Sequence, residues 1–295
     1  MTSDLFPNFD QRWIEVNGVK IFTRTGGQGR PLLLLHGHPQ THAIWHKVAQ
    51  YLAKKRTVVM TDLRGYGDSD KPLGDVEHLN YSKRVMSQDQ VGVMRQLGFD
   101  EFDVLAHDRG ARVAHRMALD FPNAVRRLIL LDIAPTLTMY AQTTEQFARS
   151  YWHWFFLIQP SPMPERFIQA NPEAYVKEVM GRRSSGLAPF DARALAEYVR
   201  CLQLPGAAHG LCEDYRASAS IDLVHDRQDL RRGHILQQPL LVLWGEQGVV
   251  HQCFETLNEW RKVAKNVQGL ALPCGHYIAE EVPELLLQHA EFLEF

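Results

Sequence analysis

Cysteine is scarce in this chain, and Cys201, Cys212, Cys253 and Cys274 are scattered, with no Cys-x-x-Cys pair and no histidines at zinc spacing. That excludes a disulfide scaffold or zinc ribbon and reads as ordinary packed thiols in a reducing compartment. No lysine or arginine run exceeds a few residues and the formal net charge is only -2, so no nucleic-acid partner is expected. Apolar runs such as Leu32 to Leu35 and Trp152 to Ile158 fall well short of the roughly 20 residues a membrane-spanning helix needs. The first residues carry Asp4 and Asp10 and lack both a basic and an apolar leader region, so no secretory signal is read and a cytoplasmic protein is expected. Repeats, low-complexity tracts and long polar linkers are missing too.

What is present is 295 residues with 45% apolar content, enough to bury a substantial core. Asn17-Gly18 between Arg12 to Val16 and Lys20 to Thr25 is a strong two-residue hairpin signal. Pro31 to Leu35, Thr57 to Thr61, Phe102 to Ala106 and Arg127 to Asp132 read as buried parallel strands, and Pro239 to Trp244 and Val267 to Leu272 resume the pattern. In between, the sequence turns aromatic-rich and helical, punctuated by Pro135, Pro160, Pro162, Pro164, Pro172, Pro189 and Pro205. The expected architecture is a doubly wound, mostly parallel α/β sheet, with a core at 1–134 and 231–295 and a helical cap at 135–230. Such a cap would sit over the carboxyl ends of the strands, where these folds bind ligands.

Ala106-His107-Asp108-Arg109-Gly110 has the form of a nucleophile elbow, a strand-to-helix turn with small residues two before and two after its centre. An aspartate stands where serine is usual. A carboxylate has no proton to lose and is poor at acyl transfer, but it can displace a leaving group from an alkyl carbon and form an ester. Hydrolysing that ester needs water activated by a histidine with an orienting acid. Chain order singles out His276 among fourteen histidines, because Pro273-Cys274-Gly275-His276-Tyr277 follows the last strand. Asp132, at the end of the strand after the elbow strand, is favoured as the acid over Glu246, one strand later. The loop His36-Gly37-His38-Pro39 is expected to supply an oxyanion site through the backbone N–H groups of His38 and Arg109.

Arg109 and Arg112 share one face of the first turn after Asp108, where a helix N-terminus disfavours cations. Something anionic should compensate them: Asp108, a substrate carboxylate gripped by the paired guanidiniums, or a structural ion pair with surface carboxylates.

His36-Gly37-His38-Pro39-Gln40-Thr41-His42, Asp62-Leu63-Arg64-Gly65-Tyr66-Gly67, His107-Asp108-Arg109-Gly110-Ala111-Arg112 and Tyr151-Trp152-His153-Trp154 together resemble, in order and spacing, the fluoroacetate (haloacetate) dehalogenase branch of the α/β-hydrolase fold. The resemblance runs over nearly the whole chain. It implies that Asp108 is the nucleophile, that Asp132 and His276 complete a triad, and that Arg109 and Arg112 hold the substrate carboxylate. It further implies a halide pocket of His153, Trp154 and Tyr215, no metal or organic cofactor, and a homodimer. Two positions depart from the family: His38 stands where a phenylalanine is common, and Arg182 near where a tryptophan is. An Arg182 facing the pocket would replace an apolar wall with a cation and shift halide preference. The rival expectations are an epoxide hydrolase, with Tyr151, Tyr198 and Tyr215 as proton donors, and a non-catalytic protein that binds a small acid.

Overall fold

The computed structural model describes residues 4–294. Its sheet has eight strands: β1 (Asp10–Val16), β2 (Val19–Gly26), β3 (Arg30–Leu35), β4 (Arg56–Thr61), β5 (Phe102–His107), β6 (Val125–Leu131), β7 (Leu240–Gly245) and β8 (Val267–Leu272), in spatial order β1-β2-β4-β3-β5-β6-β7-β8. β1 and β2 form the expected hairpin, with Asn17 and Gly18 both at positive φ (49° and 73°), as a two-residue turn matched to strand twist requires. β2 meets β4 antiparallel, and every later pairing is parallel.

The near-continuous apolar strands are explained by burial on both faces. Leu33, Leu35, Val104, Ala106, Leu128, Leu130 and Val242 belong to one hydrophobic cluster, while Leu32, Leu34, Leu105, Ile129, Leu131 and Leu243 belong to another on the opposite face. Successive side chains of one strand therefore enter different cores, as the two-residue period dictates. Between β6 and β7 the chain forms eight helices, from Thr136–Ala141 to Ile221–Arg232. Among the described residues no helix is long and apolar enough to cross a membrane.

Candidate active site

The residues singled out in the sequence converge where β3, β5, β6 and β8 end. β5 runs directly into the helix Asp108–Asp120, and Asp108 takes up the reversal with φ 43°, a left-handed conformation that aspartate tolerates better than most residues. The turn can be this sharp because Gly110 lies against the end of β3. Its N–H donates to the His36 carbonyl at 2.8 Å, and a Cβ at Gly110 would stand 2.5 Å from that oxygen. Gly37 leaves similar room, since a Cβ there would lie 2.5 Å from the Cβ of Asp108. The next backbone N–H, that of His38, donates to Asp108 Oδ2 at 3.1 Å. Burial alone would raise the Asp108 pKa, but electrostatic attraction from the surrounding His276, Arg112, His107 and Arg109 side chains reverses this and holds the carboxyl well below the ordinary range. The group is thus an anion, packed and aimed.

Asp132 follows β6 in a second left-handed turn, φ 49°. Its N–H donates to the Leu243 carbonyl (2.8 Å) and its Oδ1 accepts from Gly245 N–H (2.9 Å), so β7 fixes the side chain. Oδ2 then meets His276 Nδ1 at 2.5 Å. Because the carboxylate accepts, Nδ1 is the donor in this pair, which leaves Nε2 as the nitrogen available to act as a base. Glu246 is exposed and is not brought to the histidine. The His276 loop is tied to the elbow as well, because His107 Nε2 lies 2.9 Å from the His276 carbonyl and burial pushes the His107 pKa down to about 3, keeping that ring neutral.

The two arginines prove unequal. Arg109 donates through Nε (2.7 Å) and Nη2 (3.0 Å) to the carboxylate of Asp214, on the helix Ala207–Ala219, and its guanidinium lies 4.0 Å over the Tyr215 ring. Asp214 also binds Lys83 and accepts from the Tyr66 hydroxyl, all of it buried. The compensating anion for Arg109 is therefore chiefly a carboxylate of the protein. Arg112 has only neutral partners among the described residues: the Ala134 carbonyl (3.2 Å), the Thr136 hydroxyl (2.9 Å), Met139 Sδ (3.1 Å) and the face of Trp154. Burial and the neighbouring Arg109 lower its pKa from the usual arginine value. Each guanidinium keeps one buried nitrogen without a hydrogen-bond partner, Nη1 of Arg109 and Nε of Arg112. One free N–H on each of two cations is the complement of a carboxylate with two oxygens.

Across from Asp108 stand the aromatic groups. His38 stacks on His153 (5.6 Å between centroids, 9° between planes) and meets Tyr215 edge-on at 5.2 Å, and Trp154 lies 6.2 Å from Tyr215. The Tyr215 hydroxyl is buried without a partner. Burial lowers the His153 pKa far below that of an ordinary imidazole, lowers that of His38 to about 3, and raises that of Tyr215 well above a normal phenol. His153, Trp154 and Tyr215 consequently present uncharged N–H and O–H donors.

Arg182 departs from its expected place. It is exposed at the end of the helix Pro172–Gly181 and pairs outward with Glu178 at 2.9 Å, as an i, i+4 ion pair on a helix surface does. Its neighbour Arg183 turns inward and lies 4.5 Å over the Tyr151 ring, with Nε buried and unpartnered. Sequence reasoning missed this residue, along with Asp214; the His38 side chain, noted there as a departure from the family, has its Nε2 3.2 Å from the Tyr175 hydroxyl. For Asp214 a signal existed in the expectation that the arginines need an anion, but helical spacing alone does not choose among many carboxylates.

Residues 30–283 match the family model described as the alpha/beta hydrolase fold. The chain is 44% identical to a fluoroacetate dehalogenase from Burkholderia sp over 95% of its own length and 92% of that protein's. It is 32% identical to a soluble epoxide hydrolase from Corynebacterium sp. (strain C12), covering 93% of each. A solved alpha/beta hydrolase structure from Nostoc sp PCC 7120 superposes with a TM-score of 0.93 at 52% identity, over 97% of this chain and 98% of that one.

Proposed function

The chain belongs to the haloacetate dehalogenase family of the α/β-hydrolase fold, and from that membership and the site geometry we propose that it hydrolyses the carbon–halogen bond of a haloacetate, giving halide and glycolate. The observation that carries this reading is the set of unsatisfied groups around an ionised Asp108: Arg109 Nη1, Arg112 Nε and the Tyr215 hydroxyl. A haloacetate presents a carboxylate to the first two and a halogen to the third.

Asp108 Oδ2 is held by the His38 N–H, whereas Oδ1 has no hydrogen bond among the described residues. Oδ1 is accordingly the attacking atom. It forms a bond to the halogen-bearing carbon as the carbon–halogen electron pair leaves with the halide, which His153, Trp154 and Tyr215 receive. A departing fluoride is strongly hydrated, and several converging uncharged donors replace its water without a charged ring having to be buried. Oδ2 becomes the carbonyl oxygen of the ester. His276 Nε2 then takes a proton from water, and the resulting hydroxide adds to the ester carbonyl carbon. Negative charge develops on Oδ2, where the His38 N–H already points. Collapse expels glycolate, which regains the proton from His276; the carboxylic acid left on Asp108 then gives up its proton through His276 to solvent, so one proton leaves with each halide and the Asp108 anion is restored.

An epoxide hydrolase would use the same nucleophile and is represented among the relatives. A neutral epoxide leaves the two free arginine nitrogens unpaired, and Tyr198 is engaged elsewhere, its hydroxyl donating to Glu280 at 3.1 Å. The test is free halide from fluoroacetate and from chloroacetate, with Asp108→Asn as control. Halide release by the wild type alone supports the reading. No release from either acid, with turnover of an epoxide panel, overturns it, and tight haloacetate binding without release would mark a non-catalytic acid-binding protein.

A further inference from the structure

Arg183 is a third guanidinium at this site, with a task that haloacetate leaves undone. A surface cleft of about 560 Å³ reaches His276, and its charged lining consists of Arg149, Arg182 and Arg183, with no carboxylate. Arg149 and Arg182 are neutralised at the rim by Glu145 and Glu178. Arg183 has no carboxylate partner among the described residues; it rests on Tyr151, lies against the Tyr277 side chain and feels the charge of Asp108. Its position is fixed, because Glu281 Oε2 accepts both from the Ser185 hydroxyl (2.6 Å) and from the Gly275 N–H (2.7 Å), tying the Arg183 segment to the His276 loop.

During in-line attack the reacting carbon has Asp108 and the halogen on its axis and three substituents around it: the carboxylate, assigned above to Arg109 and Arg112, and two further positions, one of which we assign to the side of His276 and the cleft. In haloacetate that side carries only hydrogen. Once Asp108 is esterified its charge is gone, and Arg183 faces no anion at all. From this geometry, and resting on the dehalogenase reading above, we propose that Arg183 is a specificity-determining residue that binds a second carboxylate on the substrate, making 2-halodicarboxylates such as 2-chlorosuccinate substrates, with one enantiomer preferred.

The experiment compares kcat/KM for chloride release from chloroacetate, both enantiomers of 2-chlorosuccinate, and 2-chlorobutyrate, which has the same carbon count without the second charge. One charge-assisted contact predicts a preference of about ten- to a hundredfold for one chlorosuccinate enantiomer over chlorobutyrate, expressed in KM. Arg183→Met should collapse that ratio toward one, and Arg183→Lys should keep part of it. Turnover of chloroacetate with no preference for the dianion overturns this proposal and leaves the dehalogenase reading standing. A dianion preference that survives unchanged in Arg183→Met overturns the role of Arg183. Chloride release from none of the acids removes both.

Discussion

Replacing Asp108 by Asn isolates the charge of the nucleophile from its backbone. Asparagine accepts the φ of 43° as readily as aspartate, so the strain of the elbow stays the same in both proteins. What changes is the electrostatic balance of a dry site. The pKa of Asp108 is depressed despite burial, so its surroundings favour the anion, and removing that anion leaves Arg112 and Arg183 without their nearest negative charge. Breaking a buried ionic arrangement by deleting one partner costs about 3–5 kcal/mol. For a protein of this size, each kcal/mol moves Tm by roughly 2–4 °C, so the variant should melt on the order of 10 °C below the wild type. Acetate should then take the vacant charge: at about a hundred times its Kd it returns close to 3 kcal/mol to the variant, and less to the wild type, where Asp108 repels it. Differential scanning fluorimetry at fixed ionic strength, with acetate replacing chloride, reads both effects. A variant as stable as the wild type, or one that acetate stabilises less than the wild type, would refute the argument that the anion is what the site is built around.

His276→Asn should halt the reaction after alkylation, so intact-protein mass after chloroacetate exposure should show one carboxymethyl adduct on Asp108; an unmodified protein would contradict the ester mechanism. Asp214→Asn keeps the size of the side chain but leaves Arg109 buried and unpaired and Lys83 with only its longer pair to Asp222, with an expected loss of about 3–5 kcal/mol in urea melts and a rise in KM as Arg109 loses its anchor. Acid should destabilise the fold through buried neutral histidines. His38, His107 and His115 have pKa values pushed down by burial to about 3, so the unfolded chain takes up protons below about 6.5 that the native state refuses. Their contribution is full above that pH and is lost as pH falls, by about 1.4 kcal/mol each between pH 7.5 and 5.5, partly offset by Glu280, whose raised pKa acts in the opposite direction. His115→Phe should flatten the fall of Tm over this window, and an unchanged slope would count against the assignment.

The central strands were legible because both sheet faces are buried there, which turns each one into a short apolar run with turn residues at its ends; Val267–Leu272, an edge strand with only Leu272 buried, was still placed to the residue. The elbow was legible because its packing demands small residues at fixed offsets, and Gly110 shows the reason in its approach to His36. Asp132 could be favoured over Glu246 from chain order, and the structure places Asp132 against His276 with Glu246 outside. What the sequence left hidden lies in the long-range contacts of the helical insertion. Arg109 and Asp214 are 105 residues apart, and no local period links them. Arg182 and Arg183 sit where the helix Pro172–Gly181 ends, and there a single residue decides between solvent and site.

On the proposed reaction, the unequal fates of Arg109 and Arg112 give a reason for two guanidiniums at one substrate carboxylate. Had both been free, a monoanionic substrate would leave a buried positive charge uncompensated; had both been paired with protein carboxylates, nothing would attract the substrate. Asp214 neutralises one and leaves it a single directional N–H, while Arg112, resting on neutral acceptors, supplies the net charge. Because Asp214 and the unpartnered Tyr215 are neighbours on one helix of the insertion, that helix sets the carboxylate clamp and the leaving-group donor together. On the proposed reaction, a shift of the helix along its axis would misplace both ends of the substrate at once, so substrate selectivity would depend on the seating of Ala207–Ala219 on the core as much as on any one side chain.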